Sequence, residues 1–189
     1  MWKCVNRIVV LCIFLSATVS AYADEAREQF RLLALDLEEP SLAVKVLSSG
    51  TSATELKVGD KVVFEITGVG SDTLYIFNMD STGGLTLLFP NQFESQLRNP
   101  PAVVRIPSKG TKYVFEAFGE PGTETVKFFV LSGDVTEFET LLKRNFAMGE
   151  VFPRGIVPVP TTLGSLSSYL SNPKGVQVRT AKVDYKIIH

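Results

Sequence analysis

The sequence is poor in the residues that carry most site chemistry. It has two cysteines in 189 residues, Cys4 and Cys12, and one histidine, His189. A single histidine at a position prone to fraying cannot organise a Ser–His or Cys–His pair. Structural zinc takes four Cys or His ligands and catalytic zinc about three, and a chain that loses residues 1–23, with Cys4 and Cys12, can supply neither from these residue types. No G-x-S-x-G turn occurs, which removes the usual signature of a serine hydrolase. Gly68-Val69-Gly70 precedes a strand pattern instead of opening a helix, so no dinucleotide cradle is present. Excess positive charge is also missing: 19 Lys and Arg stand against 20 Asp and Glu, which gives no basic face for nucleic acid.

Long hydrophobic runs are absent too. The longest, Ile8 to Leu15, is shorter than the roughly 20 residues a membrane helix needs. Preceded by Lys3 and Arg7 and followed by Ala21-Tyr22-Ala23, it reads as a secretory signal peptide over residues 1–23. Cleavage after Ala23 removes both cysteines, and with them any disulfide or thiolate. It also takes Lys3 and Arg7 from the basic count, leaving about −3 on about 166 residues. The expected location is periplasmic or secreted, with no membrane span after cleavage.

What is present is strand pattern. Residues 24–39 first carry a helical stripe, Ala26, Phe30, Leu33 and Leu37, stopped at Pro40. From Leu42 the period becomes two. Strands are predicted around 42–46, 61–66, 73–79, 85–89, 103–106, 112–118 and 125–131, with turns between them. Segments 73–79 and 125–131 carry apolar residues on both faces, as central strands do. Asp80 to Gly84 is dense in turn formers and makes 73–89 a hairpin. Residues 136–189 then supply a helix (Phe138, Leu141, Leu142, Phe146), a Pro-rich loop, a second helix (Leu163, Leu166, Tyr169, Leu170) and a closing strand. The parity shift between Val178 and Val183 predicts a bulge in that strand or its division into two segments. The fold class expected is mainly β: an Ig-like β-sandwich or barrel-like single domain, with one or two short helices, its core over 40–135.

Candidate contacts follow from residues that leave the strands. They are Asp80, Gly83 and Gly84 at the hairpin tip, and Phe89, Pro90, Asn91 and Phe93 in the loop after it. The Pro-rich loop at 152–160 is a further candidate for peptide contact, against a plain connector. Asp80 lacks the repeated carboxylates and closing Glu of a calcium loop. No metal, cofactor or catalytic residue is expected.

Leu56 to Phe64, Leu74 to Gly83, Leu85 to Asn91, Ile106-Pro107 and Pro121-Gly122-Thr123-Glu124, in that order, resemble the bacterial domain-of-unknown-function family numbered 4384. The resemblance covers roughly residues 40–135. It implies a non-catalytic, mainly β module of secreted or envelope proteins, which in that family often follows a caspase-like peptidase, a kinase or an outer-membrane assembly domain. Here the module is expected to stand nearly alone. The function expected is an exported, non-enzymatic binding or accessory module of the bacterial cell envelope, acting on an envelope or secreted protein partner. The alternatives are a carboxylate-based hydrolase and a carrier of small apolar ligands.

Overall fold

A computed structural model describes residues 21–97 and 99–189. The signal-peptide reading rests mostly on residues 1–20, including Lys3, Cys4, Arg7 and Cys12, and lies outside them. Residues 21–23 are described and begin a helix, α1 (21–32), which a single 3-10 turn at Leu35–Leu37 follows. The strands are β1 (Ala43–Ser48), β2 (Thr51–Ser52), β3 (Glu55–Lys57), β4 (Lys61–Thr67), β5 (Thr73–Met79), β6 (Leu85–Phe89), β7 (Val103–Ile106), β8 (Phe115–Glu116), β9 (Gly122–Ser132) and β10 (Gln177–Ile188). Two more helices, α2 (Thr136–Asn145) and α3 (Val159–Leu170), lie between β9 and β10.

The strands form two five-stranded sheets. One runs β2-β1-β4-β7, with β8 also paired to β4; the other runs β3-β10-β9-β5-β6. All pairings are antiparallel except β3 with β10. The sheets face each other across a core that includes Val46, Phe64, Ile66, Ile76, Val104, Phe128 and Ile187. The architecture is therefore a sandwich. A second core lies on the outer face of the second sheet, where Tyr75, Phe77, Leu87 and Phe129 meet Phe30 of α1, Phe138 of α2 and Leu166 of α3. The helices thus form a third layer. This layer is why β5 and β9 are apolar on both faces. Their even-numbered residues, Leu74, Ile76, Val126, Phe128 and Val130, fill the sandwich, and odd-numbered ones, Tyr75, Phe77, Phe129 and Leu131, fill the helical core.

Three expectations need correction. The N-terminal helix ends well before Pro40: residues 33 and 34 are turn, and Ala34 takes φ 54°. Over 112–118 only Phe115–Glu116 is strand. The closing strand has no bulge, since β10 pairs with β9 without a break from Gln177↔Ser132 to Ile187↔Gly122. Its parity shift has a different cause. Val176 and Val178 face the helical core, while Ala181, Val183, Tyr185 and Ile187 face the sandwich, so one regular strand buries different faces along its length.

A real bulge lies in the hairpin. Ile76 is opposite Phe89 and Phe77 is opposite Leu87, which leaves Leu88 as the extra residue. It inverts the alternation, so Leu85 and Leu87 face the helices and Phe89 turns into the sandwich. The outer edge of β6 is covered by the Pro-rich loop. Leu87 N–H donates to the Pro153 carbonyl at 2.8 Å, and Gly155 N–H donates to the Leu85 carbonyl at 3.3 Å. That loop, a candidate for peptide contact, is a strand-edge cover made by the chain itself.

α1 is held by polar contacts as well as by Ala26, Phe30 and Leu33. Lys127, in the middle of β9 and fully buried, donates from Nζ to the Leu33 carbonyl just past the C-terminal end of α1. A cation there complements the helix dipole. Burial pulls its pKa down from 10.5 to about 8.

Candidate functional site

The hairpin tip is engaged inside the molecule. Asp80 Oδ1 accepts from Thr82 N–H at 2.8 Å, Thr82 Oγ1 at 2.7 Å and Gly84 N–H at 2.9 Å. Gly83 has φ 86°, and a Cβ on Gly84 would lie 2.4 Å from Asp80 Oδ2. The tip is then clamped: Arg27 Nη1 donates to the Ser81 carbonyl at 2.6 Å, Ser81 Oγ donates to the Glu120 carbonyl at 2.9 Å, and Gly83 lies against Ala23. Asp80, Gly83 and Gly84 therefore build the turn and its seat under α1, which corrects their reading as a free contact surface.

Phe89 also needs correcting as a contact residue. It has no exposed surface and belongs to the sandwich core, because the bulge at Leu88 turns it inward. The next residues do reach the surface. A cis peptide joins Phe89 to Pro90, and Pro90 is half-buried. Asn91 ties the loop to itself: its Nδ2 donates to the Leu88 carbonyl, and its Oδ1 accepts from Phe93 N–H and Glu94 N–H, all at 2.9 Å. Phe93 is 49% exposed and stacks on Tyr113, with ring centroids 5.9 Å apart and planes at 20°.

Glu94 fixes this loop to the one after β7. Its buried carboxylate accepts from Tyr113 Oη at 2.5 Å, from Ser108 Oγ, and from Ser108 N–H at 3.4 Å. Burial and the Glu94 carboxylate push the Tyr113 phenol well above its usual pKa. Tyr113 is itself wedged edge-on against Phe152 at 5.6 Å and Phe115 at 5.4 Å. Two residues on, Gln96 bonds both polar groups of the Leu74 backbone, at 3.1 and 2.7 Å, and pins the segment to the start of β5. Phe93 thus stands on a rigid support. Beside it is an open hollow of about 490 Å³, lined by Gln92, Phe93, Lys109, Gly110, Thr111 and Lys112.

Glu94→Ala removes the acceptor of three donors. We expect about 2 kcal/mol lost, with faster amide exchange over residues 91–94 and 108–113. Native-state hydrogen exchange checks this; unchanged exchange in both loops counts against Glu94 as their tie.

The second buried carboxylate, Glu124, has separate partners. It accepts from Asn78 Nδ2 at 2.9 Å and from Tyr185 Oη at 2.8 Å, and burial raises its pKa. Each carboxylate is therefore taken up by internal donors. Ser171 and Lys174 stand at an S-x-x-K spacing that the sequence reading passed over. Pro173 between them prevents a helical turn from bringing them together, and Ser171 Oγ donates to the Ser167 carbonyl at 2.8 Å. Among the described residues no group of three or more His, Cys, Asp or Glu is placed to hold a metal, and no helix is long and apolar enough to cross a membrane.

Of the seven candidates, Asn91 and Phe93 are brought together with Tyr113, Glu94 and the two lysines. Glu94, Ser108, Lys109, Lys112 and Tyr113 were missed. The Asn91–Glu94 spacing of an Asx turn is the one local signal for any of them; the rest meet only through the fold.

No curated protein matches the chain. A family model described as a domain of unknown function, DUF4384, matches residues 55–132, from β3 to the end of β9. This stretch includes the hairpin, the Phe93 loop and the Glu94–Tyr113 tie, but neither β10 nor the helical layer. Over residues 55–132 the chain is similar to the DUF4384 family, in line with the resemblance carried by its motifs.

Proposed function

We propose that the chain is an exported accessory module of the bacterial cell envelope, periplasmic or secreted, which acts through contacts with another protein and not by chemistry of its own. One observation carries this reading: an aromatic side chain, Phe93, is half-exposed and stacked on Tyr113, whose hydroxyl is bonded to buried Glu94. Exposing a large apolar ring costs solvation, and fixing it in place lowers the entropy lost when a partner covers it. Anchors of this kind dominate binding energy at protein interfaces.

The test places a photo-crosslinking residue at position 93 in producing cells, with exposed Ser171 as the control site. We expect one reproducible envelope protein to be crosslinked from position 93 and not from 171, and the recovered chain to begin at Asp24. Equal capture from both sites, or no adduct at 93, counts against a contact role for this surface. A recovered chain that still begins at Met1 in the cytoplasmic fraction counts against export.

A further inference from the structure

The hollow beside Phe93 has a charge and a chemistry that select what fits it. Gln92, Phe93, Lys109 and Lys112 are exposed around it, and no acidic residue lines it. This is a local surplus of two positive charges on a chain whose net charge is −1. The adjacent carboxylate, Glu94, is turned inward and spent on Ser108 and Tyr113, so it does not cover either lysine. Among the described residues neither Lys109 nor Lys112 takes part in an ion pair. The floor offers few free hydrogen-bonding groups. The Thr111 hydroxyl is held among its own loop carbonyls, Ser108 O at 3.0 Å and Tyr113 O at 3.3 Å, and Gly110 contributes only backbone. A sugar would need a dense set of planar polar side chains, and Gln92 alone supplies one.

An apolar plate flanked by two cations, with little else, fits a different occupant. We infer that the hollow receives an acidic peptide segment of the partner, with one apolar side chain laid on the free face of Phe93 and carboxylates over Lys109 and Lys112. The inference rests on the proposed contact role of Phe93 and gives that contact a chemistry. Complementary charge around an apolar anchor sets encounter rate and register more than affinity, so binding of this kind weakens with salt.

The test uses the purified protein on an array of short synthetic peptides. Each contains one Phe or Leu and the set runs from strongly acidic to strongly basic, with an anionic polysaccharide spotted alongside. We expect acidic peptides to be selected. In fluorescence anisotropy the best binder should weaken about tenfold with Phe93→Ala and about tenfold with Lys109→Glu/Lys112→Glu, with a loss of similar size at high salt. Both variants alter exposed side chains, and their melting curves serve as the folding control. Selection of neutral or basic peptides, still lost with Phe93→Ala, overturns the acidic occupant and leaves the contact surface standing. Polysaccharide binding with no peptide selected overturns the peptide occupant. Binding that ignores Phe93→Ala, or none at all, removes both readings.

Discussion

Phe89→Ala is expected to cost about 3–5 kcal/mol and Phe93→Ala no more than about 1, although the two side chains lie four positions apart in the same segment. Phe89 is sealed in the sandwich core against the partner sheet, so truncation loses its transfer free energy and opens a cavity. Phe93 loses only one stacked face on Tyr113. For a domain of this size the first change lowers Tm by roughly 10 °C and the second by about 2 °C. Partner capture should respond in the opposite sense: Phe93→Ala weakens it about tenfold, while Phe89→Ala retains it below its own Tm. Thermal melts with capture measured at low temperature separate the two. Similar Tm losses for both variants contradict the half-exposed placement of Phe93.

The second large effect is a rise in stability with pH. Lys127 titrates near 8 in the folded chain and near 10.5 when unfolded. Between those values the unfolded chain holds a proton that the folded chain has lost, so stability climbs as pH rises through the window. Below pH 8 both forms are charged and the full cost of the buried ammonium remains, about 3 kcal/mol. Desolvation sets the sign; Lys182 and Arg31 add to it, and Glu38 and Asp184 oppose it. The tyrosines close the window. Tyr75, Tyr113 and Tyr185 all titrate above their usual value in the fold, so they turn the slope downward above about pH 10. Lys127→Met removes the rise and stabilises the protein at pH 7 by about 2 kcal/mol, after about 1 kcal/mol is lost with the bond to the Leu33 carbonyl. Urea melts at pH 7 and 9 check both statements. A methionine variant that is less stable at pH 7 shows that the ammonium's hold on α1 outweighs its burial.

The fold was legible where sequence period and burial agree. The alternating β4 and the doubly apolar β5 and β9 could be placed because strand geometry sends neighbouring side chains to opposite faces. Helical spacing marked the buried stripes of α2 and α3. Reading failed where tertiary context set the pattern. Leu85, Leu87 and Phe89 share a parity, and nothing local says that Leu88 bulges and turns Phe89 to the other core. The parity shift in β10 suggested a bulge because a third layer of helices was not in view. The site was half legible for the same reason. Asn91 and Phe93 are marked by their own loop, but Glu94 acquires its role from Ser108 and Tyr113, 14 and 19 residues away. Nothing in the local sequence marks Lys127 as the side chain that ends an N-terminal helix 94 residues earlier, since that contact comes from the layering.

The place of β10 between β3 and β9 has a consequence for the order in which the protein is made. β10, one of the interior strands of this sheet, is the last of the ten among the described residues, and its parallel neighbour β3 precedes it by more than a hundred residues. During synthesis β3 and one whole side of β9 have nothing to pair with until residues 177–188 arrive. Loop closure over such a span is slow compared with forming the β5–β6 hairpin. From the completion of β9 at Ser132 until β10 is made, the nascent chain therefore carries an apolar, open-sided half-sheet. A chaperone or a confined channel gives most protection at this stage, and the arrival of β10 ends it by closing both gaps at once.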